Sequence, residues 1–189
     1  MDQLLNYDTK LFLFLNNLGT ETWDGLWLVI TDKLTFIPLY VLLLFLLYKK
    51  YGAKSLLILI VIVALMVTFT DQIANLFKNG FERTRPCGTA GVVDNMRFIA
   101  MRCGKYGFFS GHAANSMAVA VFAGLMLKLF YKNLIFVLLL WSAIVAYSRI
   151  YVGVHYPLDI FCGMAFGAMS GYLFYRLAIY ILNRFVEKH

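Results

Sequence analysis

The chain has 189 residues, of which 61% are hydrophobic and 17% aromatic, and its mean hydropathy is +0.74, whereas a soluble domain carries about 45–50% apolar residues. A water-soluble fold of this length has no interior large enough to hide so much apolar surface, so lipid is the implied solvent. The formal net charge is +7.

In the N-terminal segment, residues 1–33, Leu4, Tyr7, Leu11, Phe14, Leu15 and Leu18 fall on one helical face, with Asn6, Thr9, Lys10, Asn16 and Asn17 opposite. This is the pattern of a helix lying in the membrane interface, or of one packing its apolar face on a bundle. The N-terminus lacks a basic n-region and a small-residue cleavage site, so this helix is expected to be retained. Apolar spans follow over 34–48, 55–77, 113–130, 134–147 and 157–182, against the roughly 20 residues a crossing needs. The first is short and has room to borrow from Trp23 to Thr31 across Asp32 and Lys33; the fourth has room to extend through Tyr151. The expected fold is all-α: one membrane-embedded domain over 1–189, an integral bundle of five to six transmembrane helices plus the N-terminal interfacial helix.

The one long polar connection, 78–109, carries Lys78, Arg83, Arg85, Arg97, Arg102 and Lys105 against Glu82 and Asp94. A loop of that length in so compact a chain is functional or disordered, and its glycines and aromatics favour function. If five spans zigzag, the end of the second, the start of the third, the end of the fourth and the start of the fifth share one membrane face. Lys78 and Arg85, then Ser110, Gly111 and His112, then Ser148 and Arg149, then His155 and Asp159 stand at those four places. Taken singly, such cations snorkel to headgroups and an interfacial histidine is a satisfied structural residue. Three cations, two histidines, a carboxylate and a helix start on one side point to phosphoryl transfer, whose transition state spreads charge over the equatorial oxygens.

Lys78, Arg85 and Arg149 supply charge, the arginines as planar forks matched to phosphate oxygens. Ser110 and Gly111 add a hydroxyl and the positive end of a helix. His155 and Asp159, four apart, stand about one turn apart on one face. The carboxylate can fix the imidazole tautomer and leave the other nitrogen to attack phosphorus. Pro157 suits a helix's first turn, and His112, on another helix, can protonate the leaving oxygen. No metal and no cofactor is needed.

These residues also resemble a known family. Lys78 to Pro86, Phe109-Ser110-Gly111-His112, and Ser148 to Asp159 are similar to the three signatures of the type 2 phosphatidic acid phosphatase superfamily: Lys, six residues, Arg-Pro; Pro-Ser-Gly-His; and Ser-Arg, five residues, His, three residues, Asp. With the intervening spans the likeness runs from about residue 55 to the end. It implies a roughly six-helix bundle and a metal-independent lipid phosphatase. By motif position Lys78, Arg85, Ser110, Gly111 and Arg149 would bind phosphate, His155 would become a phosphohistidine supported by Asp159, and His112 would protonate the leaving group. One departure is Phe109, where the family usually has proline. Vanadium haloperoxidases share the pocket but are soluble, which this composition argues against.

The expected partners are a lipid phosphate and the bilayer, with no nucleic acid. Gly163, Gly167 and Gly171 form a small-residue ridge on the last span, open either to a homodimer contact or, the stronger reading, to close packing within the bundle. Asp71, two turns before Lys78, steadies that lysine or touches interfacial water. Lysines at 49, 50, 54, 128, 132 and 188, with Arg184, cluster at the opposite face, which the positive-inside rule makes cytoplasmic. The site then faces the periplasm or cell exterior from the inner membrane, where Cys87 and Cys103 can pair as a disulfide or remain free thiols. Tyr147, Tyr151, Tyr156, Phe108 and Phe109 are expected around a headgroup-level site. Undecaprenyl diphosphate, phosphatidylglycerol phosphate, phosphatidic acid and lipid A phosphates all fit; the short chain leans the reading towards undecaprenyl diphosphate. A non-enzymatic anion-binding transporter or scaffold is the rival class, disfavoured by the two histidines.

Overall fold

Six α-helices form among residues 2–185, the part of the chain that the computed structural model describes. They are α1 (Asp2–Asn17), α2 (Glu21–Thr31), α3 (Ile37–Phe81), α4 (Gly111–Leu127), α5 (Leu134–Tyr151) and α6 (Pro157–Phe185). The last four residues, Lys188 included, lie outside the described residues.

A straight helix of the 45 residues in α3 would run about 68 Å, more than twice the roughly 30 Å of a hydrocarbon core. Gly52, at φ 77° and ψ 173°, breaks it, in a conformation that residues with a Cβ rarely adopt. The chain doubles back there. Leu43 and Leu47 before the break share a buried cluster with Leu59, Ile62 and Met66 after it, and Lys33 and Lys78, near the outer ends of the two limbs, line one cavity. The two limbs, with α4, α5 and α6, make the five expected crossings. The first limb borrows nothing from α2. That helix stops at Thr31, and Asp32 caps a separate 3-10 turn over Lys33–Phe36 by accepting the Leu34 N–H at 3.0 Å.

Segments 33–81, 134–151 and 157–184 are each long and apolar enough to cross a membrane. Leu57, Val61 and Leu65, Phe136, Val137 and Leu140, and Phe161 and Leu173 are exposed, an apolar exterior that belongs in lipid. α4 is shorter and lies at the centre, against α3, α5 and α6. The α6 glycines explain how closely it is held. A Cβ at Gly163, Gly167 or Gly171 would meet the carbonyl oxygens of Ser110, Ala114 or Ala118 at 2.6, 2.2 and 2.5 Å. The ridge therefore faces α4 and offers no surface to a second copy.

At one end, the Lys50 ammonium stands 4.6 Å from the Phe130 ring centre, and the Tyr51 hydroxyl donates to Met126 O. The basic turns near 49–54 and 128–132 are thus together, away from Lys78.

α1 fits a helix lying in the interface rather than one packing its apolar face on the bundle. Asp8, Phe12 and Asn16 are its buried stripe, while Leu4, Tyr7, Leu11, Phe14 and Leu18 are exposed. The apolar face turns outward and the polar stripe grips the protein, because the surface beneath it is the polar turn joining α5 to α6. The Asn16 amide donates to the carbonyls of Arg97, Ile150 and Tyr151 at 3.0 Å and accepts the Arg97 N–H at 2.7 Å. Arg97 also pairs with Asp24 of α2 at 2.7 Å.

Candidate active site

Arg85 is aimed by a short ribbon. Thr84 bridges Tyr106, the Gly107 N–H donates to Arg83 O at 2.8 Å, and Arg85 Nε donates to Tyr106 O at 3.0 Å. A disulfide between Cys87 and Cys103, with Cα atoms 6.0 Å apart, closes the segment between them. α3 continues through Lys78 to Phe81, so the polar connection starts at Glu82. Lys78 Nζ donates to Asn75 Oδ1 at 3.3 Å.

Ser110 is the N-cap of α4: its Oγ accepts the Ala113 N–H at 3.4 Å. Gly111 and His112 follow in the first turn, where the helix end is electropositive. At the far end of α5, Arg149 Nη1 donates to the Thr31 hydroxyl. The chain then turns through Gly153 at φ 86°, and the N–H groups of Val154 and His155 return to Arg149 O. Within this turn His155 Nδ1 faces Asp159 Oδ2 at 3.4 Å, and the same oxygen accepts the Tyr156 N–H at 3.0 Å. Burial pushes the His155 imidazole down to about 4, against the upward pull of Asp159. The ring is therefore neutral at pH 7, the form with a free lone pair. Burial likewise lowers the Arg85 guanidinium, opposed by Asp159.

Six of the eight expected site residues, Lys78, Arg85, Gly111, His112, Arg149 and His155, line one cavity of about 580 Å³. Ser110 and Asp159 stand behind them, fully buried, the first capping α4 and the second against His155. From this cationic end the cavity continues past Asp71, Asn115 and Ser116 into an apolar arm lined by Leu43, Leu47, Val63, Met66, Val119 and Phe122. By helical rise, Val63 and Lys78 are about 22 Å apart along α3.

The sequence pattern of the PAP2 superfamily matches residues 55–182. The chain belongs to that superfamily. It is a membrane lipid phosphatase. It is 35% identical over 179 residues to a lipid A 4'-phosphatase of Bacteroides thetaiotaomicron, a match covering 93% of this chain and 78% of that protein. It is 34% identical over 190 residues to a lipid A 4'-phosphatase of Porphyromonas gingivalis, covering 98% and 79%. Its fold matches the crystal structure of a transmembrane PAP2 type phosphatidylglycerolphosphate phosphatase from Bacillus subtilis with a TM-score of 0.76, at 17% identity over 96% of this chain and 89% of that one.

Tyr147, Tyr151, Tyr156, Phe108 and Phe109 do not line the cavity; its aromatic lining is Phe36, Tyr40 and Phe122. Tyr151, Tyr156 and Phe109 are buried as packing instead. Asp71 makes no ion pair with Lys78 within 4 Å among the described residues. Its carboxylate accepts the Asn115 amide at 2.7 Å and, like Lys78 Nζ, lies under 4 Å from where a Gly111 Cβ would be.

Sequence reasoning passed over Thr31 and Lys33, which join the cavity wall. It also passed over Gly107, packed against Asp159. Thr31 and Lys33 lie in a segment read as interfacial, and a glycine in a loop carries no signal of what it touches.

Proposed function

We propose that the protein removes the 4'-phosphate of lipid A without a metal, through a phosphohistidine on His155. The observation that carries this reading is the cavity itself: a cationic, histidine-bearing mouth continuous with an apolar arm inside the bundle, the shape of a site for a phosphorylated amphiphile. The two relatives named lipid A 4'-phosphatases, each more than a third identical across nearly the whole chain, favour that lipid over undecaprenyl diphosphate, towards which chain length alone leans.

In this reading Lys78, Arg85, Arg149, Ser110 and the Gly111 amide hold the phosphate, and the buried Nε of Arg149, which has no hydrogen-bond partner among the described residues, suits an incoming oxygen. His155 Nε2 attacks phosphorus while its Nδ1–H stays on Asp159; the ester P–O bond breaks and His112 gives its proton to the departing sugar oxygen. Water then attacks phosphorus while His112 takes one of its protons; the P–N bond breaks, returning its electron pair to His155 Nε2, and inorganic phosphate leaves. No group of three or more His, Cys, Asp or Glu with metal-ligand proximity occurs among the described residues. The clustered lysines at the opposite end and the Cys87–Cys103 bridge support an inner-membrane protein with its site towards the periplasm.

The test is phosphate release by purified protein from a panel in mixed micelles: bis-phosphorylated lipid A, undecaprenyl diphosphate, phosphatidylglycerol phosphate and phosphatidic acid. Lipid A should be the best substrate, lose only its 4'-phosphate, and do so in EDTA. Preference for undecaprenyl diphosphate, or loss of activity in EDTA restored by a divalent cation, would overturn the proposal.

A further inference from the structure

Beneath the catalytic turn a chain of charged groups leads to Asp159 from Asp8, outside the three motifs, through Arg83, at an unspecified position within the first. Asp8 of α1 is buried, its side chain 5% exposed. Its Oδ1 accepts the N–H of Leu158, in the first turn of α6, at 2.8 Å. Its Oδ2 accepts Arg83 Nη2 at 2.6 Å. The other arm of the same guanidinium, Nη1, donates to Asp159 Oδ1 at 2.8 Å. The guanidinium also lies 4.2 Å from the centre of the Tyr156 ring, whose other neighbours include Phe12 of α1, edge-on at 5.4 Å. Asp159 is fully buried, and each of its oxygens is committed: Oδ1 to Arg83, Oδ2 to the Tyr156 N–H and towards His155.

We infer that Asp8 and Arg83 are positioning residues for the reaction: α1 reaches under the catalytic turn and, through Arg83, fixes the orientation of the carboxylate that holds His155. The physical case rests on what each bond prevents. A carboxylate free to rotate about χ2 would turn its oxygen out of line with the imidazole and lose the 3.4 Å approach. Arg83 stops that rotation with a charge-assisted bond to a carboxylate that is fully buried, where such bonds are strong. Arg83 would itself be free to swing towards the cationic cavity or the solvent without Asp8, which takes its second arm. Asp8 is fixed in turn by capping α6 from outside that helix. Neither Asp8 nor Arg83 lines the cavity, so both act only through Asp159.

The inference rests on His155 being the nucleophile, and the test keeps the two apart. Full-length protein would be assayed with bis-phosphorylated lipid A in mixed micelles, with tungstate as a competitive probe of the phosphate cradle. Asp8→Asn keeps an oxygen for the Leu158 N–H but turns an amide NH2 towards Arg83, removing both the charge and the acceptor that hold it. It should lower kcat roughly tenfold, with KM and tungstate inhibition unchanged within about twofold. Arg83→Met should cost roughly a hundredfold in kcat, and Arg83→Lys should recover part of it. In an Asp159→Ala background Asp8→Asn should have no further effect, because the group it acts through is gone. If Arg83→Met fails to fold, Asp8→Asn, Arg83→Lys and the Asp159→Ala background still decide.

An undiminished kcat in Asp8→Asn, a rise in KM at constant kcat, or an equal loss in the Asp159→Ala background would overturn the inference. If His155→Ala also stays active, the proposed mechanism falls with it; if His155→Ala is dead while Asp8→Asn is fully active, only the positioning role falls.

Discussion

Gly107 lies so close to Asp159 that a Cβ added to it would stand 3.0 Å from Oδ2, as well as 3.2 Å from Arg85 Cγ and 3.6 Å from His155 Nδ1. One glycine thus sets the spacing between a cradle arginine and the histidine–aspartate pair. Gly107→Ala should shift Asp159 and Arg85 by a few tenths of an ångström, and through Asp159 disturb its approach to His155. We expect kcat to fall by roughly tenfold to a hundredfold, since such misplacements are costly in catalysis, while the melting temperature in detergent changes little. Unaltered kcat with a lowered melting temperature would make Gly107 a folding residue only.

The glycine ridge predicts a different failure. At Gly167 a Cβ would meet Ala114 O at 2.2 Å and the Ala114 Cα at 2.9 Å, both backbone, so relief requires α4 and α6 to separate. Gly167→Val should destabilise the protein by about 3 kcal/mol or more, and activity should fall in proportion to the folded fraction. A dimer-specific role predicts instead a stable monomer with normal melting, which gel filtration with light scattering would reveal.

Asn16 makes a third case, because its amide satisfies groups from two parts of the site-bearing region: Arg97 in the loop and the last carbonyls of α5. Asn16→Leu keeps the volume and leaves those groups unpaired in a buried place, which should cost about 2 kcal/mol. A thermal unfolding series on the purified variant measures this, and a change within experimental scatter would contradict the clamp role of α1.

The disulfide predicts a labelling pattern. Cys87 and Cys103 are bridged, and Cys162 is the free cysteine. Thiol labelling of non-reduced, denatured protein should find one reactive cysteine and three after reduction. Closing a loop of 16 residues' separation restricts the unfolded chain by on the order of 3 kcal/mol, so reduction should lower stability before it touches kcat. Three reactive thiols before reduction would remove the bridge and weaken the periplasmic orientation.

What could be read from the sequence follows from how each feature is encoded. The spans were legible because lipid demands unbroken apolar length, and the cradle because motif residues at four span ends must converge in a zigzag. For α1 the apolar pattern leaves two readings open, and Leu4, Tyr7 and Phe14 turn outward as the interfacial one requires; that Asp8 and Asn16 do the holding is not encoded in that pattern. Arg83 looked like one more loop cation, since its two carboxylate partners lie 75 and 76 residues away and no local pattern marks them. The aromatic residues near the motifs were visible but misassigned, because sequence proximity to Arg149 and His155 says nothing about which side of the turn a ring occupies.

The central claim, that phosphate passes through His155, is tested most directly by trapping the phosphorylated enzyme. Protein mixed with lipid A carrying a labelled 4'-phosphate would be quenched within milliseconds in alkaline detergent, where phosphohistidine survives, and the phosphorylated peptide identified by mass spectrometry. The label should sit on His155 alone, appear in a burst before free phosphate, and vanish in His155→Ala. Label on any other residue, or label that persists in His155→Ala, would contradict the account.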